Sequence, residues 1–236
     1  MSTEKKPLVV IVGPTAVGKT ALSIALAKAF DAEIISGDSM QVYRHMDIGS
    51  AKIRPEEMCG VPHYLIDVLD PSEEFHVVKF VELAHEAMEK IYAAGQIPIV
   101  TGGTGFYIQA LLKEVDFTES HGELPIRKQL EEKAATEEGA AELYRELSEV
   151  DPASAETIHP NNVKRVIRAL EYYHETGQKI SEHNEEQKQK ESPYCSAYFV
   201  LNDERSILYD RIDRRVDQMI CDGLVDEVFR LKEMGY

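Results

Sequence analysis

Between a short apolar run, Leu8 to Val12, and a helical pattern, Lys19 to Phe30, stands Gly13-Pro-Thr-Ala-Val-Gly-Lys-Thr20. The spacing is G-x-x-x-x-G-K-[ST], and its setting directly after a strand and before a helix turns a short pattern into a structural constraint. The run before it is β-branched and unbroken, as expected of a strand covered on both faces. Glycines let the backbone curl so that successive N–H groups point at an anion. The helix start adds the positive end of its dipole. Lys19 supplies a point charge, and the Thr20 hydroxyl suits Mg²⁺. Gly13, Pro14, Thr15, Ala16, Val17, Gly18, Lys19 and Thr20 are therefore expected to hold a di- or triphosphate. The loop alone leaves open whether a nucleoside is attached to it.

The remaining pattern places this loop in an α/β fold. Glu33 to Ser36 and Tyr64 to Val68 read as further short strands, and Ile97 to Thr101 as another. Val77, Phe80, Val81, Ala84, Ala87, Met88 and Ile91 recur at three- and four-residue spacing, which predicts an amphipathic helix, with Gly95 placed to end it. Strand–helix alternation of this kind implies a P-loop NTPase-like, doubly wound parallel sheet. The texture changes near Phe117, and residues 123–180 show no strand pattern. Leu130 to Leu147 reads as one helix and Asn162 to Glu175 as a second. Ser181 to Pro193, polar and low in complexity, is expected to be a mobile surface loop. Tyr198 to Leu201 reads as a returning strand, followed by helices over Glu204 to Ile220 and Val225 to Met234, divided by Gly223. The expected organisation is a core over 1–116, a helical insertion over 117–196 and a return to the core over 197–236.

The charge balance narrows the partners. Lysine and arginine number 26 against 42 aspartates and glutamates in 236 residues, a formal net charge of −16. Nucleic acid would have to meet a local basic surface, because a uniformly basic coat is excluded. The three cysteines, Cys59, Cys195 and Cys221, are far apart and lack metal spacing. They read as buried or idle thiols in a reducing cytoplasm, without a disulfide framework or zinc site. Met1 to Lys6 is polar, so no secretory leader is expected, and the uncharged stretch Ala93 to Leu112 is interrupted by Gly95, Pro98, Gly102, Gly103 and Gly105. No membrane span is expected.

Other candidate residues follow the strands, where open parallel sheets bind their ligands. Asp38, in Ile34-Ile-Ser-Gly-Asp38-Ser-Met-Gln41, could hold Mg²⁺ through water or accept a proton; it could equally be an Asx-turn residue. Thr101-Gly-Gly-Thr104-Gly105 is a second donor-rich loop on the same edge. Asp67 is either a water-mediated metal contact or a hydrogen-bonded strand end. Lys164, Arg165 and Arg168 fall off the apolar stripe Val163, Val166, Ile167 and Leu170, so they could grip a phosphate backbone or form an ordinary solvated face. Arg211 and Arg215 share a helix face, with Arg214 close by. They could fork phosphate oxygens or pair with Asp210, Asp213 and Asp217.

GPTAVGKT, ISGDSMQVYRHMDIGSAK, HYLID, TGGTGFYIQAL, DPASAETIHPNNVKRVIRALE and LYDRIDRRVDQMICDGL occur in this order. Together they resemble the tRNA dimethylallyltransferase (tRNA isopentenyltransferase) family from about Leu8 to the last residue. His45 and Val163 stand where the family often has Gly and Pro. Family members continue with a segment containing Gly-Tyr-Lys-Glu, whereas this sequence stops at Gly235-Tyr236.

The resemblance implies transfer of the dimethylallyl group of dimethylallyl diphosphate to the exocyclic amine of the adenosine 3′ of the anticodon, with Mg²⁺ as cofactor. It implies Asp38, Thr104 and Arg215 as catalytic residues, Asp38 being the base. Thr20 is the implied metal-side residue. Asp38, Ser39, Met40, Gln41, Thr104, Arg127, Lys164, Arg165, Val166, Ile167 and Arg168 are the implied contacts with the tRNA anticodon stem-loop. A cytoplasmic monomer is expected. A P-loop small-molecule kinase, with arginines clamping ATP, is the rival enzyme class. A non-catalytic RNA-binding module is the rival outside enzymes.

Overall fold

The computed structural model describes residues 5–115 and 125–236. The expected boundary between 116 and 117, and the first four residues of the polar opening, lie outside them. The described chain divides into two compact units, one over Met1–Glu114 with Ser192–Tyr236 and one over Val115–Glu191.

The first unit is built on five parallel strands. They are β1 (Lys6–Val12), β2 (Ala32–Ser36), β3 (His63–Tyr64), β4 (Ile97–Gly102) and β5 (Tyr194–Val200), in the order β3-β2-β4-β1-β5. Alternation along β1 explains why the run is apolar throughout. Leu8 and Val10 face one core with Ile35, Val100, Phe80, Met88 and Ile91, while Ile11 faces another with Ile34, Ile99 and Ala27. Helix α1 (Lys19–Phe30) packs on the second of these faces, and α2 (Val77–Ala93) on the first. Helix α2 ends where glycine was expected to end it. Gly95 is left-handed at φ 76°, and the N–H groups of Gly95 and Gln96 donate to the carbonyls of Tyr92 and Ile91, closing a Schellman motif. Helix α3 (Gly105–Lys113) follows β4, and α9 (Arg205–Cys221) and α10 (Leu224–Met234) close the unit.

Three expectations need correction here. The strand read over Tyr64 to Val68 is only His63–Tyr64, because Leu65 and Asp67 take left-handed conformations (φ 63° and 56°) and turn the chain away from the sheet. The returning strand begins at Tyr194, four residues earlier than its apolar residues suggest, since β1 pairs along its whole length from Lys6↔Tyr194 to Val12↔Val200. Its first residues escaped notice because the strand has an exposed face and carries polar residues there. The three cysteines are free and exposed rather than buried.

The second unit is helical in its described residues: α4 (Pro125–Lys133), α5 (Glu137–Val150), α6 (Pro152–Thr157), α7 (Val163–Thr176) and α8 (Ile180–Gln189). The single helix read over Leu130 to Leu147 is two. Thr136 interrupts it, its hydroxyl accepting from the Gly139 N–H at 3.1 Å as the cap of α5. The stretch read as a mobile loop from Ser181 is the helix α8. Its start is tied to buried Asp151, whose carboxylate accepts from the N–H and hydroxyl of both Ser154 and Ser181. Leu143, Leu147, Val166, Ile167 and Leu170 form the core of this unit. Among the described residues no helix is long and apolar enough to cross a membrane.

Candidate active site

The carboxyl ends of β1, β2 and β4 open into a cleft of about 470 Å³. Its first wall is the loop joining β1 to α1, contributed by Thr15, Ala16, Gly18, Lys19 and Thr20. Gly13 approaches Leu201 so closely that a Cβ would lie 2.5 Å from the Leu201 carbonyl oxygen, and Gly18 is left-handed at φ 97°. Gly13, Pro14 and Val17 shape the loop without lining the cleft. The Lys19 ammonium folds back onto the carbonyls of Gly13 and Pro14 at 2.9 and 2.8 Å. Burial pushes the Lys19 pKa down; Asp38 opposes that shift, and Arg215 adds to it. All three groups therefore lie within electrostatic reach of one another.

Asp38 sits at the mouth of β2. Its Oδ1 accepts from the N–H groups of Met40 (2.8 Å) and Gln41 (3.3 Å), while Oδ2 makes no hydrogen bond among the described residues. One oxygen of Asp38 thus closes the Asx turn that the sequence allowed, and the other is left without a partner among the described residues. Close contact between the β2 and β4 loops requires Gly102, where a Cβ would fall 2.3 Å from the Gly37 carbonyl oxygen. Gln41 and Arg215 line the cleft and meet at one acceptor, the Ala51 carbonyl, at 3.2 and 3.4 Å. Ile34, Ile53, Ile66, Ile212, Val216 and Met219 form its apolar part.

The other expected residues are placed differently. Thr104 caps α3 and is joined to the Asp38 loop by its N–H, which donates to Gly37 at 3.4 Å; it does not line the cleft. Ser39 and Met40 lie outside it too. Arg211 pairs with Asp203 at 3.0 Å and Arg214 with Asp210, so Arg215 is the member of that cluster that faces the cleft. Asp67 bonds to Lys52 at 2.5 Å and is absent from the cleft wall.

In the helical unit, Lys164 and Arg165 are exposed. Arg168 and Arg127 both approach the buried Glu171 carboxylate, at 3.0 and 3.6 Å. Val166 and Ile167 are corrected: at 1% and 6% exposure their side chains belong to the core, because they stand on the apolar stripe of α7.

Sequence reasoning missed His63, which lines the cleft and whose pKa is lowered by burial, against the raising effect of its contact with the Val61 carbonyl. It also missed Lys52 and Glu227, both buried. No group of three or more His, Cys, Asp or Glu side chains is arranged to hold a metal among the described residues. The Thr20 hydroxyl and the free oxygen of Asp38 are nevertheless hard oxygen donors beside a phosphate loop, which fits a Mg²⁺ that takes most of its ligands from phosphate and water.

The sequence model of the IPP transferase family matches residues 41–236. The chain belongs to that family. A tRNA dimethylallyltransferase of Lachnoclostridium phytofermentans is 63% identical over 231 residues, covering 98% of this chain and 74% of that protein. A tRNA dimethylallyltransferase of Bacillus licheniformis is 51% identical over 228 residues, covering 97% and 72%. The crystal structure of the full-length tRNA isopentenylpyrophosphate transferase of Bacillus halodurans superposes with a TM-score of 0.68 at 47% identity, covering 98% of this chain and 71% of that one. A eukaryotic dimethylallyltransferase solved acting on tRNA reaches a TM-score of 0.84 at 38% identity, with 97% and 56% covered.

Proposed function

We propose that this protein moves the dimethylallyl group of dimethylallyl diphosphate onto the exocyclic amine of the adenosine 3′ of the anticodon in tRNA, releasing diphosphate. The observation that carries this reading is the convergence of a phosphate loop, one free carboxylate oxygen and one guanidinium on a single cleft. The amine lone pair is delocalised into the adenine ring, so the amine must lose a proton as the C–N bond forms. Asp38 Oδ2 is the group to receive it. The allylic carbon tolerates positive charge, and the leaving diphosphate carries the developing negative charge. Lys19, the loop N–H groups and Arg215 face that charge, and losing one such group costs about 3–4 kcal/mol. Mg²⁺, held by Thr20 and the diphosphate oxygens, would neutralise the same charge. The apolar side of the cleft suits a five-carbon hydrocarbon. The anticodon loop offers bases that are already unpaired, so extruding the adenine costs little. Lys164, Arg165 and, less freely, Arg168 and Arg127 are the basic groups available to the anticodon arm.

Incubation with labelled dimethylallyl diphosphate and bulk tRNA, followed by digestion to nucleosides, tests this directly. The label is expected in a prenylated adenosine. Transfer of the ATP γ-phosphate to a small acceptor, with no prenylated nucleoside, would establish the kinase reading instead.

A further inference from the structure

The loop from Gly37 to Ile53 forms a wall of the cleft, although it contains no helix or named strand. It holds two non-glycine residues in left-handed conformations, His45 at φ 65° and Ala51 at φ 48°. Such residues persist only where their surroundings determine them, and at functional sites the strain itself aims a group. Here the aimed group is the Ala51 carbonyl, which accepts from both Gln41 and Arg215.

The next residue is Lys52, whose side chain is 4% exposed. Its ammonium donates to the Tyr43 carbonyl at 2.6 Å, to Asp47 Oδ1 at 2.6 Å and to Asp67 Oδ1 at 2.5 Å. One cation thus ties together the start of the loop, its middle and the turn after β3. The turn leading into Lys52 is closed from the other side by Glu227 of α10, which accepts from the N–H groups of Asp47, Ile48 and Gly49 at 2.8 to 2.9 Å.

We infer that Lys52 is a positioning residue for the transfer: its buried ammonium holds Ala51 in the left-handed turn that points its carbonyl at Arg215 and Gln41. Lys52 need not touch substrate. Its effect on the leaving diphosphate runs through Arg215, so the inference rests on the assignment of Arg215 above.

The test is a double-mutant cycle of Lys52→Met with Arg215→Ala, read as single-turnover prenyl transfer, with tRNA affinity and thermal midpoint measured separately. Lys52→Met alone is expected to slow transfer by about tenfold to a hundredfold, the usual cost of displacing an oriented group, while tRNA affinity changes little. In the Arg215→Ala background the same substitution is expected to cost about threefold or less, because the group it orients is gone. Equal losses in the two backgrounds would overturn the inference. Asp67→Asn keeps an acceptor but removes the charge of one Lys52 partner whose side chain is 52% exposed, so the fold is not at stake; the same cycle with Asp67→Asn decides the matter should Lys52→Met fail to fold. A wild-type chain that transfers no prenyl group would overturn the function instead, which keeps the two failures apart.

Discussion

Asp38 has an architectural role through Oδ1, and the proposed role in proton transfer falls to Oδ2. Because Oδ1 closes the turn over Met40 and Gln41, Asp38→Ala would disturb the loop as well as remove the proposed base. Asp38→Asn keeps an oxygen for those N–H groups and is the cleaner substitution. Single-turnover transfer should fall by about a hundredfold to ten-thousandfold in Asp38→Asn, the range of general-base contributions, with tRNA affinity within a few fold of wild type. Unchanged turnover would remove Asp38 from that role. Lys19, Thr20 and Asp38 were legible in the sequence because short-range motifs specify them, the turn and the helix start being local events. Lys52 and Glu227 were not. Glu227 acquires its meaning from N–H groups 178 to 180 positions earlier in the chain, and no local pattern announces such a pairing.

Element α8 shows where composition misleads. Its sequence is rich in Glu and Gln and lacks a broad apolar stripe, so it reads as a loop. Asp151 outweighs that tendency by binding Ser181 at the start of α8 and Ser154 in α6. Burial alone would raise the Asp151 pKa; its four hydrogen bonds bring it below the ordinary 3.8. A depressed carboxylate adds stability that is present above the unfolded value and disappears as pH falls through the folded one. Circular dichroism should therefore show helical signal lost as pH falls below about 4, and this acid dependence should be weaker in Asp151→Asn. That variant should also lose about 1–3 kcal/mol at neutral pH, since the amide leaves donors unsatisfied.

Element α7 shows the opposite case: its apolar period was plain, and it correctly separates Lys164 and Arg165 from the core. Reversing both charges (Lys164→Glu with Arg165→Glu) should weaken tRNA binding and make the slope of log K against log salt shallower by about 1 to 2. An unaltered slope in filter-binding titrations would exclude this helix face from the interface.

Taken as a whole, the described chain buries its sheet unevenly. Strands β1, β2 and β4 lie between apolar layers, whereas β5 is exposed beyond Tyr194, with Tyr198, Phe199 and Val200 at 45%, 47% and 67% exposure. Helices α9 and α10 add exposed Tyr209, Ile220, Val228 and Phe229. An open strand edge beside apolar surface favours association between chains. Sedimentation velocity of this 236-residue chain should show concentration-dependent self-association, and Phe199→Lys with Val200→Lys should reduce it. Wild-type sedimentation as a single species across the concentration range would contradict this. The sequence disclosed the layered fold at this scale because central strands must be apolar on both faces. It could not disclose the full extent of β5, where every residue after Tyr194 is exposed.

The register of β1 with β5 carries a temporal consequence. Lys6 pairs with Tyr194, 188 residues later. At ordinary synthesis rates of ~5–20 residues per second, the first strand waits about ten to forty seconds on the ribosome for its last neighbour. Throughout that interval, while the intervening helices are being made, one flank of β1 is bare. A chaperone that shields extended apolar segments should therefore raise the yield of native protein most when it is present during translation, and much less when it is added afterwards.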